Sequence, residues 1–157
     1  MPLLVTSLKT PIGTLNLLAD DQILIGANLS TISAFKIGED VRIVKSIPVI
    51  SDLIGDYFEG DLSAINAIKT RQEGPAFSQA AWKAMRKVAP GKVISYADLA
   101  DRAGSPAAVR AAGSACATNA IMLVVPCHRV VKTGGALGNY AYGVDKKEWL
   151  LSHEGLF

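Results

Sequence analysis

ISYADLADRAGSPAAVRAAGSACATN, residues 94–119, carries the punctuation that decides the fold of the second half of the chain. Ser95 is a helix N-cap with Asp98 three residues on, so each side chain can satisfy the other's backbone N–H. Tyr96 to Ala103 then form a short helix that Gly104 ends. Ser105-Pro106 starts another, because Ser caps and Pro loses nothing at the first helical position, where its missing N–H is not needed. That helix runs from Pro106 to about Cys116, and the pair makes a helix-turn-helix pattern. The second helix exposes mostly methyl groups, from Ala107, Ala108, Ala111, Ala112 and Ala115, with Gly113 and Ser114 also small. Reading bases in a major groove takes Arg, Asn, Gln or Glu, and only Arg110 offers one. Such a helix can approach a duplex closely without reading its letters, through backbone contacts and shape. The same alanines also suit a tight helix–helix contact, and the residues alone leave both readings open.

Upstream, a helix is expected from about Ala76, with Phe77, Ala81, Met85 and Val88 on its apolar face and Trp82 beside it, until Pro90-Gly91 closes it. The polar segment Lys69 to Pro75 marks the boundary, giving domains of residues 1–71 and 72–157. Before it, Leu3-Leu4-Val5, Leu15 to Leu18 and Ile23 to Ala27 read as a three-stranded antiparallel meander with a turn at Thr10-Pro11-Ile12-Gly13. Val41 to Val44 can continue the sheet. From Pro48, the spacing of Val49, Ile50, Leu53, Ile54, Tyr57 and Phe58 predicts one apolar helix face ending at Gly60. The fold class is therefore α+β: a small N-terminal α/β domain, which reads as a structural buttress, and a mostly helical C-terminal domain.

Downstream lies the reactive chemistry. In Val124-Val125-Pro126-Cys127-His128-Arg129-Val130-Val131 a thiol, an imidazole and a guanidinium sit side by side in an apolar run. The thiolate is the nucleophilic form, and a neighbouring imidazole or guanidinium is expected to lower the thiol pKa. On an extended strand adjacent side chains face opposite ways, so Cys127 and His128 meet only if the chain turns or a water bridges them. Asn119 can cap backbone groups and fix the turn that leads to Cys127. Lys132 to Gly143 holds four glycines in twelve residues, suited to walling a pocket for a flat ring. A phosphate-binding GxxxxGK[ST] loop is absent. A last helix is expected with Asp145 at the N-cap, Glu148 three on, Trp149-Leu150-Leu151 buried and Gly155 as the stop.

The chain has 157 residues, half of them hydrophobic, enough for one good core or two small ones. No apolar run is long enough to span a membrane and no secretory leader is evident. With only Cys116, Cys127, His128 and His153 as soft ligands, no structural zinc site or disulfide framework is expected. A free reactive thiol suits a reducing compartment, so the expected location is the cytoplasm. Residues 1–71 hold six Lys/Arg and eight Asp/Glu, and residues 72–157 hold ten and six. The second half would attract a polyanion.

The blocks GKVISYADLA, SPAAVRAAGSACATN, PCHRVV, GGALGNYAYG and KKEWLLSHEG, in this order, resemble the O6-alkylguanine-DNA alkyltransferases, densely from about Gly74 to Gly155. The resemblance implies a ribonuclease H-like first domain and DNA repair by irreversible, single-turnover transfer of an alkyl group from O6-alkylguanine in duplex DNA to Cys127, with O4-alkylthymine as a further candidate. It implies a relay in which Glu154 hydrogen-bonds His128, which takes the Cys127 proton through a water, with Tyr96 and Lys147 completing the catalytic set. Arg110 would fill the place of a flipped nucleotide, and Tyr96 would help rotate the 3′ phosphate and contact the base. Asn119, Val130, Tyr140 and Ala141 would serve the alkylguanine pocket. Ala111, Ala112, Ser114 and Cys116 would join Arg110 and Tyr96 in sequence-independent minor-groove binding. No cofactor, metal or membrane partner is implied; the protein would act as a monomer, with clustering on DNA left open. The chain departs from common family forms at Ala120 for a proline, Ala141 for a serine and Cys116 for a larger apolar residue. Two rivals remain: a cysteine hydrolase or acyltransferase, which would need an oxyanion hole and would turn over, and a non-catalytic lesion binder, which would lack the nucleophile.

Overall fold

The computed structural model describes residues 2–38 and 40–157. The chain divides into two compact units, residues 1–72 with 120–124 and residues 73–119 with 125–157.

In the first unit, β1 (Leu3–Thr10), β2 (Gly13–Asp20) and β3 (Ile23–Asn28) form the antiparallel meander. Two strands are longer than their apolar runs because pairing continues to Thr10↔Gly13. There Thr10 Oγ1 accepts from the Ile12 N–H at 3.2 Å and donates to the Gly13 carbonyl at 2.6 Å, while Gly13 takes φ +116°. β4 (Val41–Ile43) lies parallel to β1, and β5 (Lys69–Thr70) parallel to β3, giving the order β4-β1-β2-β3-β5. Leu15, Leu17, Ile50, Ile54 and Tyr57 are sealed in the core. The helix α1 (Ile50–Phe58) starts two residues after Pro48, with Val49 at its N-cap at φ +70°. Val49 is therefore off the expected apolar face and 57 % exposed.

The expected boundary needs two corrections. Lys69 and Thr70 are not linker but sheet, and Arg71 N–H also donates to the Leu24 carbonyl at 3.1 Å. More important, the second domain is not contiguous, because residues 120–124 belong to the first unit. Ala27 N–H donates to the Ala120 carbonyl at 2.9 Å and Met122 N–H to the Ala27 carbonyl at 3.3 Å, with Ile121 and Leu123 fully buried. An apolar run with free backbone groups satisfies both needs by adding to a strand edge.

The second unit opens with α2 (Ala76–Met85), which buries Ala81, Trp82 and Met85. The Trp82 indole N–H donates to the Ala115 carbonyl at 2.9 Å, and a Cβ on Gly74 would stand 2.6 Å from the Trp82 ring. β6 (Ile94–Ser95) precedes α3 (Tyr96–Arg102), whose capping box is complete: Asp98 N–H to Ser95 Oγ at 3.0 Å and Ser95 N–H to Asp98 Oδ2 at 3.4 Å. The following helix α4 spans Val109–Ala117. It starts three residues later than expected, because Ser105-Pro106 opens a turn closed by Ala108 N–H to the Ser105 carbonyl at 2.9 Å. β7 (Val130–Val131) pairs in parallel with β6, and α5 (Val144–His153) ends at Gly155, φ +90°. Its N-cap is Gly143, φ +104°, rather than Asp145, which sits in the first turn. Trp149 is only half-buried and stacks on His153 at 4.8 Å.

Candidate active site

Cys127, His128 and Arg129 form a single tight helical turn rather than extended strand, closed by Arg129 N–H to the Pro126 carbonyl at 3.0 Å. The turn removes the opposite-faces objection, and all three side chains are buried. Asn119, just past α4, holds the turn from outside, its amide donating to the Val125 carbonyl at 2.8 Å. The Asn119 side chain also hydrogen-bonds Cys127.

Cys127 opens onto a cleft of about 530 Å³ whose walls include Tyr96, Arg110, Cys116, Lys132, Tyr140 and Ala141. The β6–β7 pair positions this: it sets Ser95 beside Val131, so that the start of α3 lies next to the strand leaving the Cys127 turn. Gly138 takes φ +77°, a conformation that favours glycine, and a Cβ there would stand 3.3 Å from the Tyr96 hydroxyl.

The two residues that follow Cys127 in the turn belong to a sealed charge cluster. Glu154 Oε2 is 2.8 Å from His128 Nε2, and Arg129 donates from Nε to Oε1 at 2.8 Å and from Nη2 to Oε2 at 3.0 Å. Arg129 Nη1 also donates to the Val88 carbonyl at 2.7 Å. Hydrogen bonds from His128 and Arg129, with the Arg129 charge, outweigh burial and hold the Glu154 carboxyl well below the usual carboxylate range. An ionised carboxylate only accepts, so His128 donates from Nε2 and its Nδ1 carries the lone pair. That Nδ1 is buried and has no hydrogen-bond partner among the described residues.

The electrostatics correct one expectation. Burial pushes the Cys127 thiol above its ordinary value, opposed by the Asn119 hydrogen bond and the Lys147 ammonium. Arg129 does not lower it, being committed to Glu154 and Val88. Nor is His128 a cation, since burial drives its pKa down and outweighs Glu154. The resting site thus pairs a neutral thiol with a neutral imidazole in one turn, an arrangement suited to base-assisted attack rather than a standing ion pair.

Lys147 is fully buried, its ammonium donating to the carbonyls of Val130 at 2.7 Å and Asn139 at 3.3 Å. It ties β7 to the glycine-rich loop. Val130 is sealed, and it is not among the residues that line the cleft. Ala112 corrects a second expectation: it is fully buried with Ala115, so both belong to the interior of α4 and neither presents surface to a duplex. Arg110 and Ser114 are exposed, and Ala111 and Cys116 are half-buried. Burial, chiefly, pushes the Cys116 thiol up to about 12. Tyr96 is half-buried, its hydroxyl pKa raised by burial and then by the two thiols.

Sequence reasoning missed the role of Arg129. The available signal was a guanidinium between buried valines, a position that requires an internal carboxylate. Val109, Gly113 and Ala117 also line the cleft unanticipated, whereas Lys132 and Asn139 lie in the glycine-rich segment expected to wall it.

Fold and site together define an α+β protein in which a buried cysteine lines a cleft walled in part by α3 and α4, and the imidazole next to it in the same tight turn is held by a buried carboxylate. Residues 76–156 match the family model described as "6-O-methylguanine DNA methyltransferase, DNA binding domain". The methylated-DNA–protein-cysteine methyltransferase of Shigella flexneri is 39 % identical, covering 98 % of this chain and 96 % of its own. That of Salmonella typhimurium is 46 % identical over 68 % of this chain, a match spanning 62 % of its own length. The solved structure of Mycobacterium tuberculosis OGT in complex with DNA is similar with a TM-score of 0.83 and 29 % identity, covering 96 % of this chain and 92 % of that one. The chain belongs to the methylated-DNA–protein-cysteine methyltransferase family.

Proposed function

We propose that this protein repairs DNA by direct reversal, moving the alkyl group of O6-alkylguanine irreversibly onto Cys127, with O4-alkylthymine as a further candidate. The observation that carries this reading is Cys127 in the cleft wall, followed in the same tight turn by an imidazole whose buried Nδ1 has no hydrogen-bond partner among the described residues. His128 Nδ1 accepts the thiol proton, directly or through one water, and Glu154 stabilises the resulting imidazolium. The sulfur then attacks the alkyl carbon in line, the S–C bond forms and the C–O6 bond breaks. Its electrons pass to the guanine ring, which takes a proton with Tyr96 as the donor. The thioether has no hydrolytic exit, so each molecule acts once.

A base reaches the cleft only if it leaves the stack, at a cost of a few kcal/mol. Arg110, exposed at the cleft wall, is the side chain to occupy the vacated space. In this reading α3 and α4 act as a helix-turn-helix, with α4 in the minor groove and little sequence preference, because its exposed face carries one base-reading group. The meander with a parallel β4 beside β1 supports the ribonuclease H-like reading of the first unit, whose role is structural. A monomer in a reducing cytoplasm suits a chain that depends on one free thiol. Among the described residues no helix is long and apolar enough to cross a membrane.

Intact-mass measurement after incubation with a duplex containing O6-methylguanine tests the reading. One methyl on the peptide holding Cys127 is expected. Repeated turnover, or label on Cys116, refutes it. Arg110→Ala should slow repair of the duplex far more than reaction with free O6-benzylguanine, and equal losses would remove the flipping role.

A further inference from the structure

The second unit has a concavity outside the reaction cleft. It is a groove of about 390 Å³ lined by Ala80, Lys83, Ala84, Lys87 and Arg102. Two of its cations come from α2 and the turn that follows it, one from the end of α3, and all three are exposed. Among the described residues none of the three forms an ion pair or a side-chain hydrogen bond, although Asp101 adjoins Arg102. Most charges on a protein surface are interspersed with opposite ones; three like charges around one hollow repel each other unless an anion joins them.

The charge balance of the second half points the same way. Of its ten Lys and Arg, Arg129 and Lys147 are turned inward and satisfied within the protein. The outward positive charge rests on the remainder, and this groove gathers three of them.

We propose that the groove holds the phosphate backbone of duplex DNA away from the lesion, as a second, sequence-independent contact. Its floor is the methyl groups of Ala80 and Ala84, which let a chain of phosphates come close. It offers no aromatic or large aliphatic side chain, the anchors that a protein partner would need. Lys83 lies in the last turn of α2 and Lys87 in the tight turn that follows, closed by Lys87 N–H to the Ala84 carbonyl at 3.1 Å, so both cations edge the same groove, within reach of a strand that presents a phosphate about every 3.4 Å along the axis. Tyr96 begins α3 at the reaction cleft and Arg102 ends it at the groove, a rise of roughly 9 Å, within one turn of a duplex. The inference rests on duplex DNA being the partner of the reaction cleft.

The test is the triple variant Lys83→Gln, Lys87→Gln, Arg102→Gln in the full chain, with Lys83→Arg, Lys87→Arg as the charge-keeping control. Binding to an undamaged duplex is measured across a salt series, beside reaction with free O6-benzylguanine. The triple variant should lose about tenfold or more in affinity at low salt, with the slope of log K on log salt shallower by about 2 to 3. The control should keep the wild-type slope, and the free base should react at the wild-type rate. An unchanged slope in the triple variant overturns the proposal. So does a loss confined to self-association in sedimentation without DNA, which would make the occupant an acidic protein surface. If wild-type Cys127 takes no alkyl group while the slope still falls, the repair reading fails and the groove stands.

Discussion

His128 Nε2 and Glu154 Oε2 lie 2.8 Å apart with both side chains closed to solvent, although 26 residues separate them. The carboxylate is shared, since Arg129 takes its other oxygen at 2.8 Å and reaches the first at 3.0 Å. One negative charge therefore sets the imidazole tautomer and neutralises a buried guanidinium.

Glu154→Gln should separate these duties. Without the carboxylate Arg129 is an uncompensated buried charge, which costs about 3–5 kcal/mol, read as a lower urea midpoint. The single-turnover rate should fall by about 10²–10⁴-fold as the general base loses its support. A variant that keeps wild-type stability would show that the cluster carries no energetic weight.

Acid should destabilise the fold in two stages. His128 is held neutral in the fold, its pKa below the ordinary 6.5. As pH falls through that value the unfolded chain binds a proton that the native state refuses, and stability drops. Glu154 has a depressed pKa, so its contribution is complete above the ordinary 4.5 and is lost as pH falls further toward its native value. Urea midpoints measured from pH 8 downward check both stages, and His128→Gln should flatten the first.

Lys147→Met should raise the Cys127 thiol pKa further, because the buried ammonium is one of the groups that favour the thiolate. In a Cys116→Ser background, the pH profile of Cys127 reaction with iodoacetamide should move to higher pH. Lys147→Arg should not restore it, since the guanidinium is too large for a site that is fully buried. An unmoved profile would leave Lys147 as a tie between Val130 and Asn139 only.

Two neighbours on α4 should respond oppositely. Ala112→Leu overpacks a sealed site and should cost about 1–3 kcal/mol in stability. Ser114→Glu, on the exposed face, should change stability by less than about 0.5 kcal/mol. It should nonetheless weaken duplex binding by placing a negative charge against phosphates. Thermal melting and a duplex titration on both variants distinguish core from surface.

The sequence alone determined what depends on neighbours a few residues apart. The Ser95–Asp98 capping box, the turn at Thr10 to Gly13 and the stop at Gly155 are local bargains between a side chain and the nearest backbone groups, visible as residue types at fixed spacing. The same local signals failed where competing turns were available: Ser105-Pro106 opened a turn instead of α4, and Gly143 displaced Asp145 as a cap. Tertiary structure alone decided the rest. Ala112 and Ser114 differ by one oxygen, and packing of α4 made one interior and the other surface. Whether Cys127 and His128 could share a site depended on a turn that an apolar run does not announce. The pairing of Arg129 with Glu154, the return of residues 120–124 to the first sheet and the grouping of Lys83, Lys87 and Arg102 join residues distant along the chain. Such pairings follow from burial and charge balance in the folded molecule, where an isolated buried charge is too costly to persist, and no spacing along the chain encodes them.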